Sequence, residues 1–276
     1  MRPLASVFLY KENTMRRKFV AVLSLIAVML AAIAPAKAIT YGELDGNRHP
    51  NVGAMVAEWN TPGQKDLFCT GTLISPTVFV TAAHCTGYLE SIGILDVWVT
   101  FDAHYDPATA TIYHGVMHTN PAYSQRQDDT GDIAVIVLDR PIRNLTPAKL
   151  PKAGLLDQMA AQNGLKDQTF TAVGYGVLEP TRSGGAPVFT DNVDRRVATS
   201  RFDALNPTFL RLSQNNSTGD GGTCYGDSGG PNFLGTSDTI AAITTTGDSQ
   251  CWATNVDYRL DTQSARTFLG NYVTLP

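Results

Sequence analysis

Gly219-Asp-Gly-Gly-Thr-Cys-Tyr-Gly-Asp-Ser-Gly-Gly-Pro231 is the stretch around which the rest of the chain is organised. Six glycines and a closing proline exclude a helix or strand and admit positive φ, so amide N–H groups can turn inward beside one side chain, the hydroxyl of Ser228. Acyl transfer requires a serine oxygen flanked by inward amides, because the amides bind the charge that develops on the attacked carbonyl oxygen. Glycines alone would equally suit a solvated loop. Cys224 within the stretch and the apolar run after it describe one that is pinned to a core.

Gly226-Asp-Ser-Gly-Gly230 also fits the G-x-S-x-G elbow of α/β-hydrolases, in which the histidine follows the serine. All five histidines (His49, His84, His104, His114, His118) precede Ser228, so the elbow is excluded. The orders His, Asp, Ser and Asp, His, Ser remain, each belonging to a different architecture.

At the amino end, Met15-Arg-Arg-Lys18 precedes an apolar run, Phe19 to Ala34, and the small-residue site Ala36-Lys-Ala38. This is the pattern of a secretory signal peptide over residues 1–38, with 1–14 an upstream extension before a second methionine; the apolar run is short for a bilayer span. Cleavage after Ala38 leaves 238 residues, enough for one large domain or two small ones sharing a core. It also removes 6 of 21 basic and 1 of 25 acidic residues, leaving a net charge of about −9. Nucleic acid and anionic membranes are thereby excluded as partners. Four cysteines in an exported chain imply two disulfides, and no spacing suggests zinc.

From Ile39 onward, short apolar runs alternate with glycine, proline and polar clusters, which indicates an all-β protein. Strands are expected within 52–59, 71–74, 78–82, 94–100, 133–138, 169–174 and 239–245. One helix is expected, at the end, capped by Asp261, with Ala265, Phe268 and Leu269 on one face and Gly270 closing it. Arg140 to Leu150, with two prolines, reads as a linker.

Cys69-Thr-Gly-Thr-Leu-Ile-Ser-Pro-Thr-Val-Phe-Val-Thr-Ala-Ala-His-Cys85 reads as two strands joined by a Ser-Pro turn, with His84 beside a cysteine. A general base must be held in place before its basicity is useful. Gly131-Asp-Ile-Ala-Val-Ile-Val-Leu138 puts one carboxylate, Asp132, at the mouth of an apolar strand, where it needs a donor such as an imidazole N–H. Singly, the histidine reads as structural and the aspartate as a capped turn. The three stretches together read otherwise.

Thr-Ala-Ala-His84-Cys, Asp132-Ile-Ala-Val and Gly-Asp-Ser228-Gly-Gly-Pro resemble the three signatures of the chymotrypsin-like, or trypsin-like, secreted serine proteases. The steps of 16 residues from Cys69 to Cys85, 48 from His84 to Asp132 and 96 from Asp132 to Ser228 suit that family, and the resemblance spans the mature chain. It implies two packed six-stranded antiparallel β-barrels, residues 39–148 and 149–276, forming one peptidase domain with a short C-terminal helix. It further implies Ser228 as nucleophile, His84 as general base and Asp132 as its orienting carboxylate, with the amides of Gly226 and Ser228 as the oxyanion hole. Disulfides Cys69–Cys85 and Cys224–Cys251 follow from the same resemblance.

Family members whose pocket is basic-specific carry an aspartate six residues before the serine. This chain has Gly222 there, so cleavage after small or medium apolar residues, or aromatic ones, is expected rather than after Arg or Lys. Gly247 and Val256 are expected on the pocket walls and Tyr225 at its rim. The family's inserted amino terminus corresponds to Ile39, directly after the signal-peptidase site, with Asp227 as the partner of its ammonium. Export would then create the active terminus without a zymogen stage, and activity would fall once the α-amino group loses its proton. Protein or peptide substrates and protein protease inhibitors are the expected partners of an extracellular or periplasmic monomer. Neither cofactor nor metal is expected, since Asp102 to Tyr113 carries no convincing carboxylate cluster. The competing function is a catalytically silent two-barrel protein that binds an extracellular partner; its relatives usually lose a triad residue, whereas all three are present here.

Overall fold

The computed structural model describes residues 39–181 and 186–276; the predicted signal peptide lies outside the described residues. Strand β1 (Glu43–Leu44) leads into a first barrel of β2 (Val52–Ala57), β3 (Asp66–Ser75), β4 (Val78–Thr81), β5 (Val97–Thr100), β6 (Ile112–Thr119) and β7 (Ala134–Leu138). It closes in the order β2-β3-β4-β7-β6-β5. The second barrel comprises β8 (Thr169–Gly174), β9 (Arg196–Leu205), β10 (Phe209–Ser213), β11 (Pro231–Leu234), β12 (Ile240–Gly247) and β13 (Thr254–Arg259). It closes through the β8–β9 pairing, and β1 is added alongside β9. All strand pairings are antiparallel, so both barrels expected from the sequence are present.

One apolar cluster lies between the barrels. Val52, Val80, Ile133 and Val135 of the first meet Val173, Phe233, Ile240 and Tyr258 of the second, and Ala265, Phe268 and Leu269 of helix α3 (Gln263–Leu269) cover the seam. Each barrel also has its own filling, around Leu73, Phe79 and Ile136 in the first and Phe170, Leu210 and Leu212 in the second. Burying apolar side chains from both barrels in one cluster makes neither an independent core.

Two helices depart from the sequence expectation. Helix α1 (Ala83–Ser91) begins without a side-chain cap and contains Gly87, so it has no local start signal; its buried Cys85 and Leu89 hold it against the barrel. Helix α2 (Leu155–Ala161) begins where the Asp261 carboxylate accepts the Leu156 amide at 2.8 Å, a cap supplied from 105 residues away. Asp261 therefore does not cap α3, as the sequence suggested. Thr262 does, its side chain accepting the Ala265 amide at 3.2 Å. The expected linker is tied to the first barrel, with Ile142 N donating to Pro76 O and Ala148 N to Leu73 O, both at 2.8 Å.

Arg195 joins three parts of the molecule while fully shielded from solvent. Its Nε lies 2.9 Å from Asp45, and its terminal nitrogens donate to the carbonyls of Gly46, Val52 and Phe101 and to the Tyr175 hydroxyl. Burial alone would raise the Asp45 carboxyl, but hydrogen bonds from His49 and Arg195 hold it below its ordinary value. Replacing one partner strands the other charge. Arg195→Met should therefore cost about 3–5 kcal/mol in denaturant unfolding, and adding Asp45→Asn should recover part of that loss.

Candidate active site

The loop before β11 is shaped by its glycines. Gly226 and Gly229 adopt φ of 94° and 79°, and a Cβ on Gly229 would collide with Thr81 and the Ala82 amide. Thr70 of β3 holds this loop from the first barrel: its amide donates to Ser228 O at 2.9 Å and its hydroxyl to Gly226 O at 2.9 Å. The same hydroxyl accepts the Tyr175 amide at 3.2 Å, from the second barrel. Gly229 N and Thr244 N complete the clamp through Thr244 O and Gly230 O. The carbonyls that share peptide planes with the Gly226 and Ser228 amides, Tyr225 O and Asp227 O, accept Val177 N at 2.9 Å and Gly230 N at 2.8 Å, and the two amides and the Ser228 hydroxyl find no partner among the described residues. They are free for a ligand.

His84 sits near the start of α1, beside the Cys69–Cys85 disulfide. Its Nδ1–H donates to Asp132 Oδ2 at 2.9 Å, and its own amide donates to Asp132 Oδ1 at 2.8 Å. Asp132 is 1% exposed and both its oxygens accept from His84, a tautomer that leaves Nε2 without the ring proton. The Cys85 sulfur lies 3.9 Å from the Ser228 carbonyl oxygen. His84 and Ser228 both line a cavity of about 390 Å³. The grouping of Cys69, His84 and Cys85 holds no thiolate for a metal, since both sulfurs are in the disulfide.

Thr223, Cys224, Tyr225, Thr244, Thr245, Thr246, Gly247 and Cys251 line the same cavity, and the second disulfide, Cys224–Cys251, closes its side. Gly247 and Tyr225 are thus where the sequence expected them, but Gly222 and Val256 are not in the lining. Gly222 is backed by Gln214, and a side chain there would collide with the Gln214 amide oxygen. Val256 is paired with Thr246 and Arg211 in the sheet.

Polar residues that the sequence reading missed stand behind the cavity. Thr223 donates to Asn255, and Asn232 donates to Thr244 and to Asp257 Oδ1. Burial pushes the Asp257 carboxyl well above the ordinary range. Asp248, also in the lining, is held low against burial by the amides of Thr254, Ala253 and Trp252.

Asp227 is fully buried, its oxygens accepting the Gly176 amide at 2.8 Å and the Cys224 amide at 2.9 Å. Burial pushes its carboxyl up to about 7, more than these two amides offset. Ile39 and Thr40 are buried, Thr40 exchanging hydrogen bonds with both backbone groups of Gly222, five residues before Asp227 in the chain.

A two-barrel protein with an imidazole–carboxylate pair and an unpaired serine facing one cavity belongs to the class of protease-type folds. A family model, Trypsin, matches residues 46–267, and the chain belongs to this trypsin-like serine protease family. The solved structure of HL collagenase superposes with a TM-score of 0.63 at 16% identity, covering 84% of this chain and 97% of that one. Among curated proteins, glucanase inhibitor protein 2 of Phytophthora infestans is 32% identical over 122 residues, 42% of this chain and 42% of its own length. Glucanase inhibitor protein 3 of Phytophthora sojae is 36% identical over 98 residues, 34% of this chain and 36% of its own. The chain thus spans about two fifths of the curated relatives it matches.

Thr70 gave no sequence signal beyond its place next to Cys69, yet it orients both carbonyls that flank the free amides. Thr70→Val keeps the shape and the backbone bond to Ser228 O but removes the hydroxyl's bonds to Gly226 O and the Tyr175 amide. It should cost about 1–3 kcal/mol of stability and lower kcat/KM by about tenfold or more without abolishing activity, as read by denaturant unfolding and ester turnover.

Proposed function

We propose that the chain is a secreted serine endopeptidase that hydrolyses peptide bonds through an acyl-enzyme. The observation that carries this reading is the joint presence of His84 and Ser228 in one cavity, with Asp132 on Nδ1 and the Gly226 and Ser228 amides unpaired. Ser228 Oγ attacks the scissile carbonyl as His84 takes its proton, and the two amides receive the oxyanion. His84 then gives the proton to the leaving amine, and water repeats the sequence to release the acid. Asp132 holds the tautomer and stabilises the imidazolium. The threonines lining the cavity, and the engagement of its one carboxylate, Asp248, by the amides of Trp252, Ala253 and Thr254, support small or medium apolar side chains, or aromatic ones, before the scissile bond rather than Arg or Lys.

A second reading is favoured by the names of the curated relatives: a two-barrel protein that binds and inhibits an extracellular partner without catalysis. A serine-directed fluorophosphonate separates the two. Wild type should label at Ser228 and Ser228→Ala should not, while Asp132→Asn should label about 10³–10⁴ times more slowly. A folded wild type that resists the reagent leaves the binding reading.

Export through residues 1–38 into an oxidising compartment fits the two disulfides. Signal cleavage before Ile39 would free an ammonium, the cation that the buried Asp227 lacks. With chain preceding Ile39, the folded pKa of Asp227 exceeds the unfolded value, so the folded form holds the extra proton and stability falls as pH rises from about 4 to 7. In Ser228→Ala protein carrying a short hydrophilic extension before Ile39, that fall should reach about 3–4 kcal/mol relative to its Asp227→Asn variant. Protein starting at Ile39 should show little of it in unfolding at the same pH values. Equal pH dependence of the two forms refutes the pairing.

A further inference from the structure

We propose that the groove running from Gly226 past Phe68 to Trp59 receives the leaving-group side of a peptide substrate and selects a lysine or arginine there, with Asp66 as the selecting residue. The inference rests on the peptidase reading and adds its substrate class beyond the scissile bond.

The groove encloses about 510 Å³ and its lining includes Cys69 and Gly226, the residue whose amide would receive the scissile carbonyl oxygen. It shares Tyr225 with the cavity that holds the acyl side chain, and nothing from residues 244–251 lines it. It therefore lies across the scissile bond from that cavity, where the leaving amine departs.

Its chemistry is one-sided. The Trp59 and Phe68 rings, with centroids 5.2 Å apart, form an aromatic wall, and Tyr225, 55% exposed, also lines the groove, its hydroxyl donating to Ser249 O of the neighbouring cavity at 3.1 Å. The charged side chains in the lining are both carboxylates, Asp66 and Asp191. Asp191 is exposed and has no partner among the described residues. Asp66 Oδ1 accepts Gln64 Nε2 at 2.7 Å, whereas Oδ2, shielded from water, has no donor among the described residues. Leaving a carboxylate oxygen unmet is costly, and the adjacent cation does not meet it. Lys65, immediately before β3, is engaged elsewhere; its Nζ lies 4.3 Å above the Trp98 ring and 3.2 Å from Glu58. A long side chain with an apolar stem and a cationic head complements this lining, the stem along the rings and the head at the carboxylates. Negative charge lowers the fit of an acidic residue. The same field helps burial to raise the Tyr105 phenol at the groove wall.

Two kinds of substrate with one acyl residue test this apart from the peptidase reading: a nitrophenyl ester, with nothing beyond the scissile bond, and quenched fluorescent peptides with Lys, Leu, Phe or Glu at the first, second and third positions after it. Wild type should show kcat/KM about fivefold higher for the best Lys peptide than for its Leu counterpart, with Glu lowest. Asp66→Asn should erase that preference and leave the ester and the Leu peptide unchanged, and Asp66→Glu should keep most of it. A Lys-to-Leu ratio untouched by Asp66→Asn, or Phe preferred over Lys at every position, overturns the assignment. If the ester is not turned over, the peptidase reading fails instead, and the groove is then tested by binding of Lys and Leu tripeptide amides followed by tryptophan fluorescence. Equal binding of the two overturns it there as well.

Discussion

The amide of Thr70 donates to the carbonyl of Ser228 across the seam between the barrels, and the local chemistry depends on that bond. Thr70 holds the Ser228 and Gly226 carbonyls on the first-barrel side, while Val177 N and Gly230 N bond the carbonyls of Tyr225 and Asp227, whose peptide planes carry the unpaired Gly226 and Ser228 amides. Glycine at 226 and 229 lets the backbone follow without strain. Because Thr70 also receives the Tyr175 amide, a shift of one barrel against the other would disturb the loop, so the seam's apolar packing and the loop's geometry are parts of one constraint.

Buried carboxylates are the second theme, and each is handled differently. Asp132 spends both oxygens on His84, which turns a desolvated acid into an orienting group for a base. Asp45 is matched by the fully buried Arg195, so its charge is retained at the junction of the first strand and the two barrels. Asp261 bonds to Arg259 through both oxygens and also receives the α2 amide. Asp227 has only two amides, and burial leaves it poised for a cation that the described chain does not bring. The contrast separates acids whose oxygens are met by cations or by several donors from the one that burial leaves favouring its neutral form.

Much of the fold was legible because the seam and barrel strands are short apolar runs, as in Val78-Phe-Val-Thr81 and Ala134-Val-Ile-Val-Leu138. Strand β13 was not, because Asn255, Asp257 and Arg259 alternate as buried polar residues whose partners come from other elements, so hydropathy pointed the wrong way. Helices α1 and α2 were missed for a related reason: one starts without a local cap and the other borrows its cap from Asp261. Of the pocket positions counted from Cys251 and Tyr258, Gly247 lines the cavity that holds Ser228, whereas Val256, paired with Thr246 just past a bulge in β12, does not.

By itself the sequence determined the family, the two-barrel class and the three residues that could do the chemistry, since each lies in a local stretch whose composition is restricted by backbone conformation or burial. Only the tertiary structure decided that Asp132 meets His84, that the Gly226 and Ser228 amides are left unpaired, and that Asp66 keeps an unmet oxygen beside an aromatic groove. Those outcomes depend on which groups hundreds of atoms apart along the chain compete for the same hydrogen bond, and local sequence carries no record of that competition.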